Sequence, residues 1–487
     1  MKFKSLFSIS IILFIFLLMS GTAFAANPIQ ISTFEQLMSI DDSVENLSKD
    51  YILMNDIDVQ NSTLFKPIGF YSYNTITREH TGDPFTGTFN GNGYTISNIT
   101  FSNITFSNNN TMTIGLFGGT EGASISNLSL KNINFTGQWN VGGLVGMANT
   151  TSITNCSVVN SNTCLISGNG RVGGFVGYLQ NSNISDSYAT STVIGEISVG
   201  GFIGSANNSL VSYSYATGNV ESESFVGGFA GYIHNNSSIS KSYATGNVTI
   251  KAIENETKNA IDNETKNAIG NVADVADTPL SDTYFGGFVG FMTNNSSISK
   301  SYAIGNVKGA HSVGGFAGGM YGSAVVSESY ATGNADGIDS IGGFVGNMWS
   351  SSVSYCYAIG NSKKEGYHVG GFAGDIRSSS VISCFSPTEA GRDNGLSIVK
   401  LDADLKKKKT FDITYPIIPL SNPATFSKPW SISSSPYSNA TWYIDENNDY
   451  PKLLWNDSSS SALIKLPNVS FINRSIGHVW DWLQSLF

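Results

Sequence analysis

Val226-Gly227-Gly228-Phe229-Ala230-Gly231 is followed, after a short polar stretch, by Ile239-Ser240-Lys241-Ser242-Tyr243-Ala244-Thr245-Gly246-Asn247-Val248. Both phrases recur. The first, as Val-Gly-Gly-Phe-Val-Gly or a near variant, has its leading glycine at Gly142, Gly173, Gly200, Gly227, Gly286, Gly314, Gly342 and Gly370. Ile114-Gly115-Leu116-Phe117-Gly118 is a degenerate earlier copy. Counted from Gly115, the spacings are 27, 31, 27, 27, 59, 28, 28 and 28 residues, the long one being a unit of 28 plus an insertion. Self-similarity at a fixed period of this length marks an architecture of stacked repeats.

Within a unit every phrase is short, β-branched or aromatic, and punctuated by Gly or Asn, which reads as short strands joined by turns. No window has helical spacing. A propeller blade would need about 40 residues or more, and the Leu-x-x-Leu-x-Leu line of leucine-rich repeats is missing. Three strands of about four to six residues with three turns fill one unit. The predicted fold class is all-β: a parallel β-helix (β-solenoid) of about 10–12 coils with capping segments at both ends. One coil offers about four large apolar side chains, worth roughly 1.5–3 kcal/mol each on burial. Ordering its backbone costs about 1–2 kcal/mol per residue. A coil therefore folds only when stacked on others. The Gly-Gly pair marks a corner that needs positive φ or close backbone approach.

Strand parity gives further expectations. The variable position held by Asp186, Tyr213, Lys241, Lys300, Glu328 and Tyr355 should face solvent, and the next column, Ser187, Ser214, Ser242, Ser301 and Ser329, should face inward. Cys156, Cys356 and Cys384 align with that inward column, whereas Cys164 lies outside it. In-register side chains point the same way, which favours stacked thiols over a Cys356–Cys384 bridge. The tyrosines next in line, from Tyr188 to Tyr357, form a ladder whose side parity alone leaves open.

Composition narrows the function. Charged residues make up 13% of the chain, about half the usual 25%. The 40% hydrophobic content excludes a wholly disordered chain. A formal charge of −10 offers no basic footprint for nucleic acid. Lys2 and Lys4, the apolar run Leu6 to Met19 and Ala23-Phe24-Ala25 predict a signal peptide over residues 1–25 and an exported protein, secreted or on the cell surface. About twenty Asn-x-Ser/Thr sequons, Asn46, Asn98, Asn127, Asn183, Asn235 and Asn294 among them, are then possible glycan sites. Four cysteines are too few for a disulfide scaffold.

The remaining organisation follows from the repeats. Residues 26–112 form an N-terminal cap and first coils, with a capping box at Thr33-Phe-Glu-Gln36 and a first strand at Tyr51-Ile-Leu-Met-Asn-Asp-Ile-Asp58. Residues 113–390 hold the repeats, interrupted at 249–281 by a tandem eight-residue duplication, Ala252–Asn259 and Ala260–Asn267, read as a solvated excursion. Residues 391–455 form a C-terminal capping segment with Trp430, Trp442, Tyr443 and Trp455 as apolar cover. The charge run Lys406 to Lys409 within it reads as a solvated face. Residues 456–487 are a linker and an amphipathic helix, the one place for membrane contact.

Motifs that would carry catalysis fail on inspection. The five histidines, His80, His234, His311, His368 and His478, never form His-Glu-x-x-His. Gly168-Asn-Gly170-Arg-Val-Gly173 fits Gly-x-Gly-x-x-Gly but falls on a repeat corner with no following helix. Asp445, Asn447 and Asp449 imitate the start of a calcium loop, yet Tyr450 and Asn456 stand where Gly and Glu belong. Asp56 and Asp58 share one strand face without an evident partner. No catalytic, cofactor-binding or metal residue is assigned, and no cofactor is expected.

The phrases Val-Gly-Gly-Phe-Val-Gly and Ser-Tyr-Ala-Thr-Gly-Asn-Val resemble the GLUG repeat of bacterial and archaeal surface proteins, some of them IgA-specific metallopeptidases and adhesins. The resemblance covers about residues 113–390, with a similar lead-in at Phe85–Ile99 and a similar closing segment from Trp442 to Trp455. It implies an adhesin-like surface β-helix, and the peptidase activity does not carry over without its zinc motif. The expectation is a non-catalytic cell-surface protein acting in adhesion, envelope structure or contact with extracellular proteins or glycans. The alternative, by analogy of fold, is a polysaccharide lyase or glycoside hydrolase, which needs carboxylates gathered in one groove.

Overall fold

The computed structural model describes residues 27–74, 80–102, 110–161, 163–251, 283–362 and 367–386, and the short strands Ile432–Ser433, Trp442–Tyr443 and Lys452–Leu453. Residues 1–25, the charge run Lys406 to Lys409, the triplet Asp445, Asn447 and Asp449, and residues 456–487 lie outside them. The chain divides into two units, Met1–Ile417 and Ile418–Phe487. In the second, Trp442–Tyr443 pairs in parallel with Ile432–Ser433 and antiparallel with Lys452–Leu453.

The first unit is a right-through stack of parallel ladders. One representative coil runs Arg171–Gly173, Val176–Gln180, Asn183–Ser185, Tyr188–Ala189 and Thr192–Ile194. The coil thus has five strands of two to five residues where three longer ones were expected. The extra bends are made by non-glycine residues in the left-handed region: Asn181 (φ 48°) precedes the third strand and Asp186 (φ 52°) the fourth. The same conformation recurs at Tyr213, Lys241, Lys300, Glu328 and Tyr355, which explains why that position tolerates any side chain pointing outward. Asp186 is exposed and the others are half-buried. The fourth and fifth strands are two halves of a longer one. Ser129–Thr136 is continuous, and its halves pair with Ser157–Val159 and Leu165–Ser167 on the next coil.

Among the described residues the four main sheets hold sixteen, twelve, nine and eight strands, the largest being two runs that merge at Ser129–Thr136. About eight turns are therefore complete, and partial coils at the ends make up the rest. The twelve-stranded sheet begins at Ile29–Ile31, which pairs with Tyr51–Leu53, so the latter is the second strand and not the first. Three residues before a helix were too few to register as a strand by pattern. Between them, Thr33 caps the helix Phe34–Met38: the Thr33 Oγ1 accepts from the Gln36 backbone amide at 3.3 Å while Gln36 Oε1 accepts from the Thr33 backbone amide at 3.2 Å. The helix buries Leu37 against the core.

Stacking in register turns each repeated residue into a column. Phe175, Phe202, Phe229, Phe288, Phe316, Phe344 and Phe372 are all fully buried, with adjacent ring centroids 4.5 to 5.0 Å apart. Neither glycine of the pair needs positive φ; both are required by closeness. A Cβ on Gly173 would lie 2.0 Å from the Val176 carbonyl oxygen, and one on Gly174 2.1 Å from that of Gly201 on the next coil. The tyrosine ladder lies on the side away from the apolar core, with Tyr188 and Tyr215 half-buried and Tyr243, Tyr302, Tyr330 and Tyr357 buried. Ala189, Ala216 and Ala244 beside it enter the core, while Tyr188, Tyr215 and Tyr243 stack at 4.6 and 4.7 Å.

The serine column is inward, and its chemistry explains its composition. Each serine follows a left-handed residue, where the backbone turns away from its ladder. Its amide is caught by the serine above: Ser187 N donates to Ser214 Oγ (3.4 Å) and Ser214 N to Ser242 Oγ (3.3 Å). Each hydroxyl donates in turn to the carbonyl two residues back, as Ser242 to Ser240 (2.8 Å). A second such column, Thr151, Ser182, Ser209 and Ser237, serves the preceding corner. Cys356 and Cys384 take the serine's place with thiols donating to Ser354 (3.2 Å) and Ile382 (3.3 Å). All four cysteines are free, so Cys356 and Cys384 are stacked thiols.

The insertion leaves the rod later than its sequence suggested. Val248–Ile250 remains a ladder strand, and the Lys251 amide still bonds to Ser222 at 2.9 Å. The chain returns at Thr283, and Phe285 pairs with Val226 as though nothing intervened. The tandem duplication itself lies outside the described residues.

Candidate ligand-contact seam

At each Gly-Gly-Phe corner the chain folds sharply back, so that the strand before it lies against the strand after it. Residue 171 then meets residue 178, and two outward columns form a seam along the rod. Arg171 sets its guanidinium over the Tyr178 ring, 4.4 Å from the centroid. Such a contact orients the cation without using its five N–H donors. Asn207, one coil on, donates from Nδ2 to the Tyr178 hydroxyl at 3.2 Å. Beside the tyrosines a row of polar side chains, Asn149, Gln180, Asn207 and His234, advances one residue per coil in strict register.

His234 lies flat on Tyr232 with ring centroids 4.5 Å apart. Burial, helped by the charge of Arg171, lowers its pKa to about 4, so the ring is neutral at physiological pH. Further along the rod Phe225, Tyr284, Phe291 and Tyr321 pack edge and face against one another, with Phe291 and Tyr321 centroids 5.1 Å apart. The seam was not foreseen. Its columns change identity from coil to coil, and a search for repeats passes over what does not repeat.

Acidic groups were the other place to look for chemistry. Glu196 and Glu223 occupy adjacent coils, and Lys251 sits 4.0 and 3.9 Å from them. Burial raises the Glu196 carboxyl pKa, with Lys251 opposing and Glu223 reinforcing the shift. Asp56 and Asp58 hold turns instead: Asp56 accepts from the Thr95 amide at 2.8 Å, and Asp58 from the Gln60 amide and Asn98 Nδ2, both at 2.9 Å. The two bonds to Asp58 keep its carboxyl below the usual range. Gly170 packs against the Trp139 ring, and Gly173 is followed by a strand, so the Gly-x-Gly-x-x-Gly stretch forms no phosphate cradle. His368 Nδ1 lies 3.0 Å from Asp339, while His311 is half-buried at the edge of the preceding coil. Among the described residues no group of three or more His, Cys, Asp and Glu is placed to hold a metal ion, and no helix is long and apolar enough to cross a membrane.

Fold and seam together define a parallel β-solenoid built from a folded-corner coil. Within that class, the model of the GLUG motif matches residues 168–194 and 225–249. Each matched stretch is one coil, the first spanning all five of its strands and the second all but Ile250 of the fifth. Halomucin of Haloquadratum walsbyi is 32% identical over 157 residues, which is 32% of this chain and 2% of that protein. The chain therefore spans a small fraction of the length of the curated relative it matches. Among solved structures, a candidate immunoglobulin A1 protease from Bacteroides ovatus aligns at TM-score 0.38 and 16% identity, over 72% of this chain and 84% of that one. An IgA1 protease aligns at TM-score 0.27 and 16% identity, over 82% of this chain and 25% of that one. Likeness at this level transfers no activity.

Proposed function

We propose that the protein is an exported, non-catalytic cell-surface rod, acting in adhesion, envelope structure or contact with extracellular glycans or proteins. The observation that carries this reading is the row Asn149, Gln180, Asn207 and His234, which presents polar side chains at the coil spacing along one wall. A wall of that kind suits an extended partner laid along the axis. The GLUG coils and the likeness to halomucin support a surface setting. The rival reading, cleavage of a polysaccharide, would draw on Glu196 and Glu223, and Lys251 already engages both. Labelling of intact cells with an antibody to the rod, joined to a glycan array and a reducing-sugar assay on acidic polysaccharides, tests the proposal. Surface labelling and binding without release of sugar ends support it. An unlabelled surface, a blank array or released ends would overturn it.

A further inference from the structure

We infer that the stretch of seam around Arg171 is a binding site for a carboxylate-bearing glycan strand, a polyuronate in chemical class. The inference rests on the surface-contact reading and names the ligand for it.

The argument begins with groups left unengaged. Arg171 is half-buried in an acidic protein, yet its guanidinium makes no hydrogen bond or ion pair among the described residues; it lies on the face of Tyr178 with its charge felt at His234. A guanidinium laid on a ring face in a half-buried residue keeps its N–H donors available to an incoming acceptor. The Tyr178 hydroxyl accepts from Asn207 and keeps its own proton to donate. The Gln180 amide and the His234 imidazole likewise have no hydrogen-bond partner among the described residues, although both are half-buried. His234 is held by its stack on Tyr232. Arg171 and His234 are thus each set by an aromatic ring, and the side chains of Arg171, Gln180 and His234 have no hydrogen-bond partner among the described residues.

Their chemistry selects the ligand. A guanidinium fixed on a ring face presents a planar fork, which matches a carboxylate with two parallel N–H···O bonds. The amide row beside it supplies alternating donors and acceptors for hydroxyls. The row repeats every coil, about 4.8 Å by the spacing of paired strands, so the ligand is an extended chain lying along the axis. An extended peptide docks by adding its backbone to a free strand edge. Here the backbone groups of the wall are bonded along the axis to the neighbouring coils, and only side chains face outward. Hydroxyls, a carboxylate and apolar C–H faces meeting rings describe a sugar acid.

Titration calorimetry of the full chain with a galacturonic acid hexasaccharide, its neutral galactose counterpart and a poly-glutamate peptide tests the assignment. The acidic glycan should bind, with the neutral glycan and the peptide at least tenfold weaker. Arg171→Ala should weaken uronate binding at least tenfold, and Arg171→Lys severalfold, since the charge stays but the fork is lost. Neither change should alter the melting temperature appreciably, because Arg171 supports no ion pair in the fold. No uronate binding, equal binding by the peptide, or full binding by Arg171→Ala would overturn the site. If those results came with other glycans retained on the array, the surface-contact reading would stand alone. A blank array would remove both.

Discussion

The backbone amide of Ser242 donates to the Oγ of Ser301 at 3.3 Å, across 59 residues of sequence. The distance equals that between Ser214 and Ser242, which are 28 residues apart. The serine column is therefore unbroken where the sequence is interrupted, and the rod is indifferent to what leaves it between Lys251 and Thr283. Lengthening the connection between two stacked coils costs little beyond closure entropy, which grows slowly with length.

Deleting residues 252–282 should accordingly leave a cooperative fold. The deletion restores a spacing of 28 residues between Gly227 and Gly286. Far-UV circular dichroism and the thermal midpoint should match or slightly exceed those of the parent. Loss of the β signal would show that the excursion helps to hold adjacent coils together.

Ser301→Ala removes the acceptor of the Ser242 amide while that amide stays buried beside a turn. Leaving such a donor unsatisfied costs about 1–3 kcal/mol. Ser301→Cys should cost less, because Cys356 already occupies the same column with a thiol bonded to the carbonyl two residues back. Urea midpoints of the two variants give the comparison. Equal losses would mean that the column matters for volume and not for hydrogen bonding.

Much of this was legible before any coordinates. Nine copies of one phrase announce a stack, and the column of small residues, Ser with Cys at three places, announces which side is inward. The five-strand coil was not legible, because its bends sit on residues such as Lys241 and Glu328, whose left-handed backbone has no compositional mark. The side of the tyrosine ladder needed the structure too: a two-residue strand, Tyr188–Ala189, is too short for parity to speak. Arg171 and Tyr178 escaped for a third reason. Seven positions apart in sequence, they become neighbours only through the folded corner.

Thiol reactivity should divide the cysteines by position. Burial pushes the Cys156 thiol up to about 12, and burial beside Cys384 pushes Cys356 well above its ordinary value. Both disfavour the reactive thiolate. Cys164, partly exposed outside the column, should be the one thiol modified by a disulfide reagent in the native protein. The other three should respond only in denaturant. Prompt modification of Cys356 would place that column at the surface.

Acid should destabilise the seam through His234. Its folded pKa of about 4 lies below the unfolded value of about 6.5, so the unfolded chain binds the extra proton first. Stability from this group is complete above about pH 6.5 and falls as the pH drops towards 4. His234→Gln should flatten the stability profile across that window in denaturant titrations at a series of pH values. An unchanged profile would mean that the ring is protonated freely in the fold.

The central claim, that stability comes from register between identical coils, is tested most directly by removing one. Deleting Ser198–Ser224 takes out one 27-residue unit and brings Phe225 into register above Arg171. The account predicts a shorter rod that still unfolds cooperatively in a thermal melt with its β signal intact, at somewhat lower stability, while deletion of half that stretch abolishes the transition. A non-cooperative melt for the whole-coil deletion, or equal tolerance of the half-coil deletion, would contradict it.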